Sequence, residues 1–143
     1  MVILLDLNYT LVKNQQQTRL LRPFSKRMEA EEYRKDLIEA VRNETVIIVT
    51  ARPKYQMEAT LNNIYKKTGW KPKEAYFNDI NAEPPAFKKS VLERFILHRY
   101  DATSLYAIES NPKTRAMYAN YGIPAEPYEK YIKKVANTEI KLF

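Results

Sequence analysis

Residues 2–12, Val2-Ile3-Leu4-Leu5-Asp6-Leu7-Asn8-Tyr9-Thr10-Leu11-Val12, constrain this chain most. An apolar run ends in an aspartate, and an Asn and a Thr follow at once. Consecutive apolar positions suit a strand buried on both faces, as parallel sheets require. Such a strand carries Asp6 to its C-terminal edge, where open α/β sheets bind ligands.

The rest of the chain alternates apolar runs with amphipathic segments. Thr45–Thr50 is a β-branched strand of the same buried kind. Glu74–Asn78, Ser104–Glu109 and Ile123–Glu126 read as further strands. Helical spacing predicts Met28–Arg42, with Tyr33, Leu37, Ala40 and Val41 inward, and Tyr55–Lys67, with Met57, Leu61, Ile64 and Tyr65 on one stripe. Pro84-Pro85 predicts a turn before a helix at Phe87–Arg99, with Val91, Leu92, Phe95 and Ile96 as its core face. Pro112–Tyr121 starts with a tolerated proline and ends at Gly122, a C-cap. Tyr128–Ala136 closes the chain as a helix. Strands alternating with helices predict an α/β three-layer sandwich around a mostly parallel, Rossmann-like sheet. Residues 13–26, with Gln15-Gln16-Gln17 and Pro23, break the pattern and predict a flap beside the Asp6 strand end.

At 143 residues the expectation is one domain spanning 1–143. The absence of cysteine excludes disulfides, thiolate metal sites and a cysteine nucleophile, and fits a cytosolic protein. The N-terminus does not read as a signal peptide, and no apolar run approaches a membrane span. A single histidine, His98, leaves no basis for a histidine metal site and is expected at a helix end. The net charge of +7 favours phosphorylated or polyanionic partners, including nucleic acid.

In a parallel sheet the C-terminal strand ends converge on one crevice. Here they bring Asp6, Asn8 and Thr10 from the first strand, then Thr50, Ala51 and Arg52, then Glu109, Ser110 and Asn111. Lys88 and Lys89 enter from the helix between the last two. Read singly, each has a plain role: a cap, a turn, a solvated lysine pair, an acid favouring a helix N-terminus. Together they form a set suited to phosphoryl transfer through an aspartate. Asp6 would attack phosphorus, and a divalent cation would offset the repulsion between carboxylate and phosphate. Asp6, Glu109 and the carbonyl of Asn8 offer oxygen ligands for Mg²⁺. Thr50 and backbone amides, including those near Ala51, would hold phosphate oxygens, and Lys88 or Lys89 would neutralise developing charge.

At these residues the sequence resembles the haloacid dehalogenase (HAD) superfamily of Mg²⁺-dependent phosphatases. Its first motif, Asp-x-Asp-x-Thr, stands here as Asp6-Leu7-Asn8-Tyr9-Thr10. Its second, a Thr closing a hydrophobic strand, is Val46-Ile47-Ile48-Val49-Thr50, followed by Ala51-Arg52-Pro53. Its third is Lys88 or Lys89, and its fourth, an acid pair, is Glu109-Ser110 after Leu105-Tyr106-Ala107-Ile108. The resemblance covers nearly the whole chain and implies a small member with no large cap. Thr-Ala-Arg-Pro and Pro84–Leu92 also look like small phage-encoded members and, more distantly, the phosphatase part of polynucleotide kinase-phosphatases.

Two positions depart from that pattern. The family's second aspartate, its general acid and base, is Asn8, which hydrogen-bonds but does not exchange a proton at neutral pH. The second acid of the fourth motif is Ser110, with Asn111 or Asp79 as compensating metal ligands. The resemblance implies a Mg²⁺-dependent phosphatase with weakened catalysis. Asp6 is its nucleophile, and Asp6, Asn8, Glu109, Ser110 and Asn111 form the metal set. Thr10, Thr50, Ala51, Arg52 and Lys89 stand toward substrate, with Lys88 on the phosphate. The expected substrate is a phosphorylated small molecule or a nucleic-acid end. The alternatives are an aspartyl-phosphate that persists and an impaired HAD-fold module that binds nucleic acid or a protein.

Overall fold

A computed structural model describes residues 1–141. It is α/β, with a five-stranded, all-parallel sheet in the order β3-β2-β1-β4-β5. The strands are β1 (Val2–Leu5), β2 (Thr45–Pro53), β3 (Glu74–Asn78), β4 (Leu105–Ile108) and β5 (Ala125–Glu126). Between them run α1 (Gln15–Thr18), α2 (Phe24–Ala30), α3 (Lys35–Val41), α4 (Met57–Thr68), α5 (Pro84–Val91), α6 (Pro112–Asn120) and α7 (Tyr128–Lys141). Among the described residues no helix is long and apolar enough to cross a membrane.

The pleat sorts the central strand into two cores. Ile3 and Leu5 pack with Leu37 of α3, Ile64 of α4 and Ile48 of β2. Val2 and Leu4 pack with Phe87 and Val91 of α5, Met117 and Tyr118 of α6, and Ile47 of β2. Full burial of each such aliphatic side chain favours the fold by about 1.5–3 kcal/mol. Helices on both faces explain why β1 and β2 read as unbroken apolar runs rather than alternating ones.

Register sets the site. Leu5 lies beside Ile48 on one side and Ile108 on the other. Asp6 and Glu109 each follow these partners by one residue, and Thr50 follows Ile48 by two. The Asp6 amide continues the ladder, donating to the Ile108 carbonyl at 3.0 Å.

Several local expectations change. The helix predicted over 28–42 is two helices separated by an extended segment. Tyr33 bridges Val12 antiparallel, the Lys13 amide donates to Glu32, and the Arg34 amide donates to Leu11. These backbone groups are claimed by the first loop, so a continuous helix cannot keep them. The predicted flap, 13–26, contains α1 and the first turn of α2, and it buries Gln15 and Thr18. Asn14 clasps its base, donating to the Ala30 carbonyl and accepting from the Glu32 amide, both at 2.8 Å.

Pro84 and Pro85 form the first turn of α5 instead of preceding it, since that turn needs no amide donors. After Val91 the chain widens into a π-type turn over Leu92–Ile96, which brings Phe95 to the surface, and His98 sits exposed in the turn beyond. Tyr65 is also exposed, at 56%, while Thr60 takes the buried position on α4. Helix α7 runs past Ala136. Gly122 follows α6 at φ +74°, a left-handed conformation that costs glycine little.

Candidate phosphoryl-transfer site

The loop after β1 builds the first wall. Residues Leu7–Leu11 turn tightly, with Tyr9 at φ +64° and the Val12 amide closing onto the Leu7 carbonyl at 2.9 Å. A non-glycine residue there is uncommon and strained. The turn folds Thr10 back on Asp6, so the Thr10 hydroxyl donates to Asp6 Oδ2 at 2.8 Å. Asp6 is 6% exposed and Thr10 is buried.

Lys88 enters from α5. Phe87 and Val91 anchor that helix in the core, and Lys88 between them faces the strand ends while Lys89 faces solvent. The Lys88 ammonium bridges Asp6 Oδ1 at 2.8 Å and Glu109 Oε1 at 2.6 Å. Burial alone would pull its pKa down, but the two carboxylates outweigh burial and hold it above the ordinary lysine range. Burial likewise pushes Asp6 up, yet the Lys88 charge and hydrogen bond, with the other donors, hold its carboxyl below the usual value. Burial and the neighbouring Asp6 charge push Glu109 up to about 7, against the opposing pull of Lys88.

Glu109 Oε2 accepts from the Asn111 amide at 3.1 Å, so both of its oxygens are engaged. Asn111 caps α6, its Oδ1 accepting from the Lys113 amide at 2.9 Å. Arg115 reaches back from α6 to the carbonyls of Glu109 and Ser110 and fixes that loop. The Ser110 hydroxyl lies 2.8 Å from Asp6 Oδ2 and 3.3 Å from the Asn8 carbonyl oxygen.

Among the described residues, no three His, Cys, Asp or Glu side chains gather into a ready metal cluster. The oxygen corner of Asp6 Oδ2, Asn8 O and Ser110 Oγ nevertheless fits Mg²⁺ by donor type and spacing. Octahedral Mg²⁺ with bonds of 2.0–2.1 Å needs neighbouring oxygens about 2.9 Å apart. The two spacings here are 2.8 and 3.3 Å. The Ser110 proton serves two acceptors in this corner, which leaves lone pairs on the Ser110 and Asn8 oxygens, while Asp6 Oδ2 also takes the Thr10 hydroxyl. Its charge is modest, because Lys88 offsets one of the two carboxylates. Asp79 lies apart from this corner and pairs with Arg94 at 2.9 Å.

The second strand end is tied to a network that sequence reasoning missed. Arg52 is buried rather than open toward a substrate. Its NH1 and NH2 donate to the two oxygens of Glu31, each at 3.0 Å. NH1 also reaches Thr60 Oγ1 at 3.2 Å, and NH2 reaches Asn8 Oδ1 at 2.7 Å. Glu31, fully buried, also accepts from the Tyr33 hydroxyl at 2.9 Å, and Asn63 donates to that hydroxyl at 2.8 Å. Thr50 is buried within β2, where the strand bulges between Val49 and Pro53, its hydroxyl accepting from the Arg52 amide at 3.1 Å. Ala51 lines a cleft of about 740 Å³ along the same edge, with Pro53, Lys54, Tyr55, Asn78 and Asp79. No local pattern separates Glu31 from Glu29 and Glu32 beside it. Only the path of the chain between α2 and α3 turns it inward.

Asp6, Asn8, Thr10, Lys88, Glu109 and Ser110 are therefore joined directly, Arg52 is linked through Asn8, and Thr50 is linked through Arg52. Lys89 faces solvent, and Asn111 caps α6. No model of a known protein family and no curated protein matches this sequence.

Proposed function

We propose that this chain is a Mg²⁺-assisted phosphatase of HAD type, in which Asp6 takes the phosphoryl group from a phosphomonoester. The observation that carries this reading is the Lys88 ammonium held between Asp6 and Glu109, which come from two different strand ends. A lysine in that position keeps Asp6 ionised and places positive charge where phosphate oxygens would approach.

The two Asp6 oxygens have separate tasks. Oδ2 accepts from the Thr10 hydroxyl and, on the cation corner, lies 2.8 Å from the Ser110 hydroxyl, whose proton has the Asn8 carbonyl as a second acceptor. Oδ1 accepts only from Lys88 among the described residues, so it keeps a lone pair for phosphorus. Asp6, the Asn8 carbonyl and Ser110 would hold the cation, whose charge would offset phosphate repulsion when bound. Thr10 and Ser110 orient the carboxylate.

The reading extends to substrate. Among the described residues no second domain covers the strand ends, and the cleft beside Ala51 offers Lys54 and the exposed Tyr55. With a net charge of +7, this suits phosphorylated small molecules or a nucleic-acid end.

The test is Mg²⁺-dependent release of the leaving group from a generic aryl phosphate. Slow release by the unchanged chain, absent in Asp6→Asn at an equal melting temperature, supports the reading. Release that survives Asp6→Asn refutes it.

A further inference from the structure

We infer that Asn8, held by Arg52, presents the site with a fixed amide donor and no proton, so the site accepts phosphoryl groups from donors with an acidic leaving group, such as aryl and acyl phosphates, and retains them on Asp6. The inference rests on the reading of Asp6 as phosphoryl acceptor.

The orientation of Asn8 follows from chemistry. A guanidinium carries donors only, so the Asn8 atom 2.7 Å from Arg52 NH2 is the amide oxygen. Arg52 cannot turn away, because Glu31 grips it at two points and Thr60 at a third. The Asn8 Nδ2 makes no hydrogen bond to the described residues and is not among their buried unpartnered atoms, so it remains available to a ligand. It can donate to a phosphoryl or departing oxygen. It cannot release its proton.

Among the described residues, no group beside Asp6 is turned to supply that proton instead. The Lys88 ammonium is turned to two carboxylates, Asp6 at 2.8 Å and Glu109 at 2.6 Å. The Thr10 and Ser110 hydroxyls are turned to Asp6 Oδ2. Glu109 is buried, one oxygen turned to Lys88 and the other to the Asn111 amide, so a proton it carries does not face Asn8.

In the first step, an Asp6 Oδ1 lone pair forms the O–P bond as the P–O bond to the leaving group breaks. The bonding pair departs on the leaving oxygen as an anion, which stays ionised if its acid is strong and otherwise takes a proton from water. That departure is easy for a phenolate or carboxylate and hard for an alkoxide. In the second step, attacking water must lose a proton, and the Asn8 oxygen is a weak base already bonded to Arg52. Hydrolysis of the aspartyl-phosphate is therefore the slow step. General acid–base help is worth about 10²–10⁴-fold, and turnover should trail the first release by that order.

The experiment mixes the full chain and Mg²⁺ with aryl phosphates of graded leaving-group acidity, acetyl phosphate and one alkyl phosphate, with mass spectrometry on the protein. We expect a burst of up to one leaving group per chain and one added phosphoryl group on the peptide holding Asp6. First-step rates should fall steeply as the leaving group becomes less acidic. Asn8→Asp, a near-isosteric change, sets a carboxylate beside Arg52 that stays ionised and acts as a base. It should shorten the life of the adduct by about 10²-fold or more. Equal rates on alkyl and aryl phosphates without an adduct, with Asp6→Asn silent, would overturn this inference and leave the proposed function standing. An adduct whose lifetime Asn8→Asp does not change would also overturn it. Silence of both the chain and Asn8→Asp on every donor would overturn the proposed function itself.

Discussion

Arg52 and Glu31 form a two-point ion pair, 3.0 Å at each contact, with both side chains shut off from water. It joins the segment between α2 and α3 to the end of β2, and through Asn8 to the loop that carries Asp6. Leaving one partner of such a pair buried alone costs about 3–5 kcal/mol, whereas replacing both with apolar residues costs far less. Arg52→Leu and Glu31→Leu should each lower stability by that order, and the double variant by much less than their sum. Urea denaturation of the four proteins measures the cycle. Additive losses would show that the pair does not act as a unit.

Lys88 stands between two buried carboxylates, so its removal should be felt in both fold and site. Lys88→Met should cost about 3–5 kcal/mol near neutral pH, because Asp6 and Glu109 are then left buried without their cation. The loss should shrink on acidification as the carboxylates protonate. Lys88→Arg should not rescue the site, since a planar fork cannot sit where a compact ammonium spans 2.6 and 2.8 Å. Denaturant midpoints at acid and neutral pH, beside aryl phosphate turnover, check both statements.

Glu109 should give the stability a pH slope of definite sign. Its carboxyl rises from 4.5 to about 7 in the folded chain, so between these values the folded state binds more protons than the unfolded state. Its contribution is full below the unfolded value and is lost as pH rises through the folded one. Without added metal, the parent should lose more stability between about pH 5 and about pH 8 than Glu109→Gln, which cannot titrate. Equal slopes in the two proteins would contradict the assignment.

Ser110→Asp adds a carboxylate to the corner shared by Asp6 Oδ2 and the Asn8 carbonyl. Without metal it should lower the melting temperature through like-charge repulsion with Asp6. With Mg²⁺ it should recover more stability than the parent does, because binding to the folded state alone stabilises it. Thermal unfolding across a Mg²⁺ titration reads both effects. A variant whose Mg²⁺-induced shift does not exceed the parent's would show that this corner is not the cation site.

What the sequence by itself determined is the sheet and its edge. Val2–Leu5 and Val46–Val49 are continuous apolar runs, and a run buried on both faces has one architecture to enter, a parallel sheet between helix layers. The positions of Asp6 and Glu109 at strand ends follow from that pattern, because side chains just past such a run must emerge at the C-terminal edge, whereas β2 runs on past Thr50 to Pro53. Tertiary structure alone decided the partners. Lys88 rather than Lys89 faces Asp6 because Phe87 and Val91 set the rotation of α5. Arg52 turns inward because Glu31, 21 residues earlier, is carried to it by a segment whose backbone pairs with the first loop. Burial reads out locally in hydrophobic pattern, whereas a charge pair depends on distances across the fold that no short window of sequence encodes.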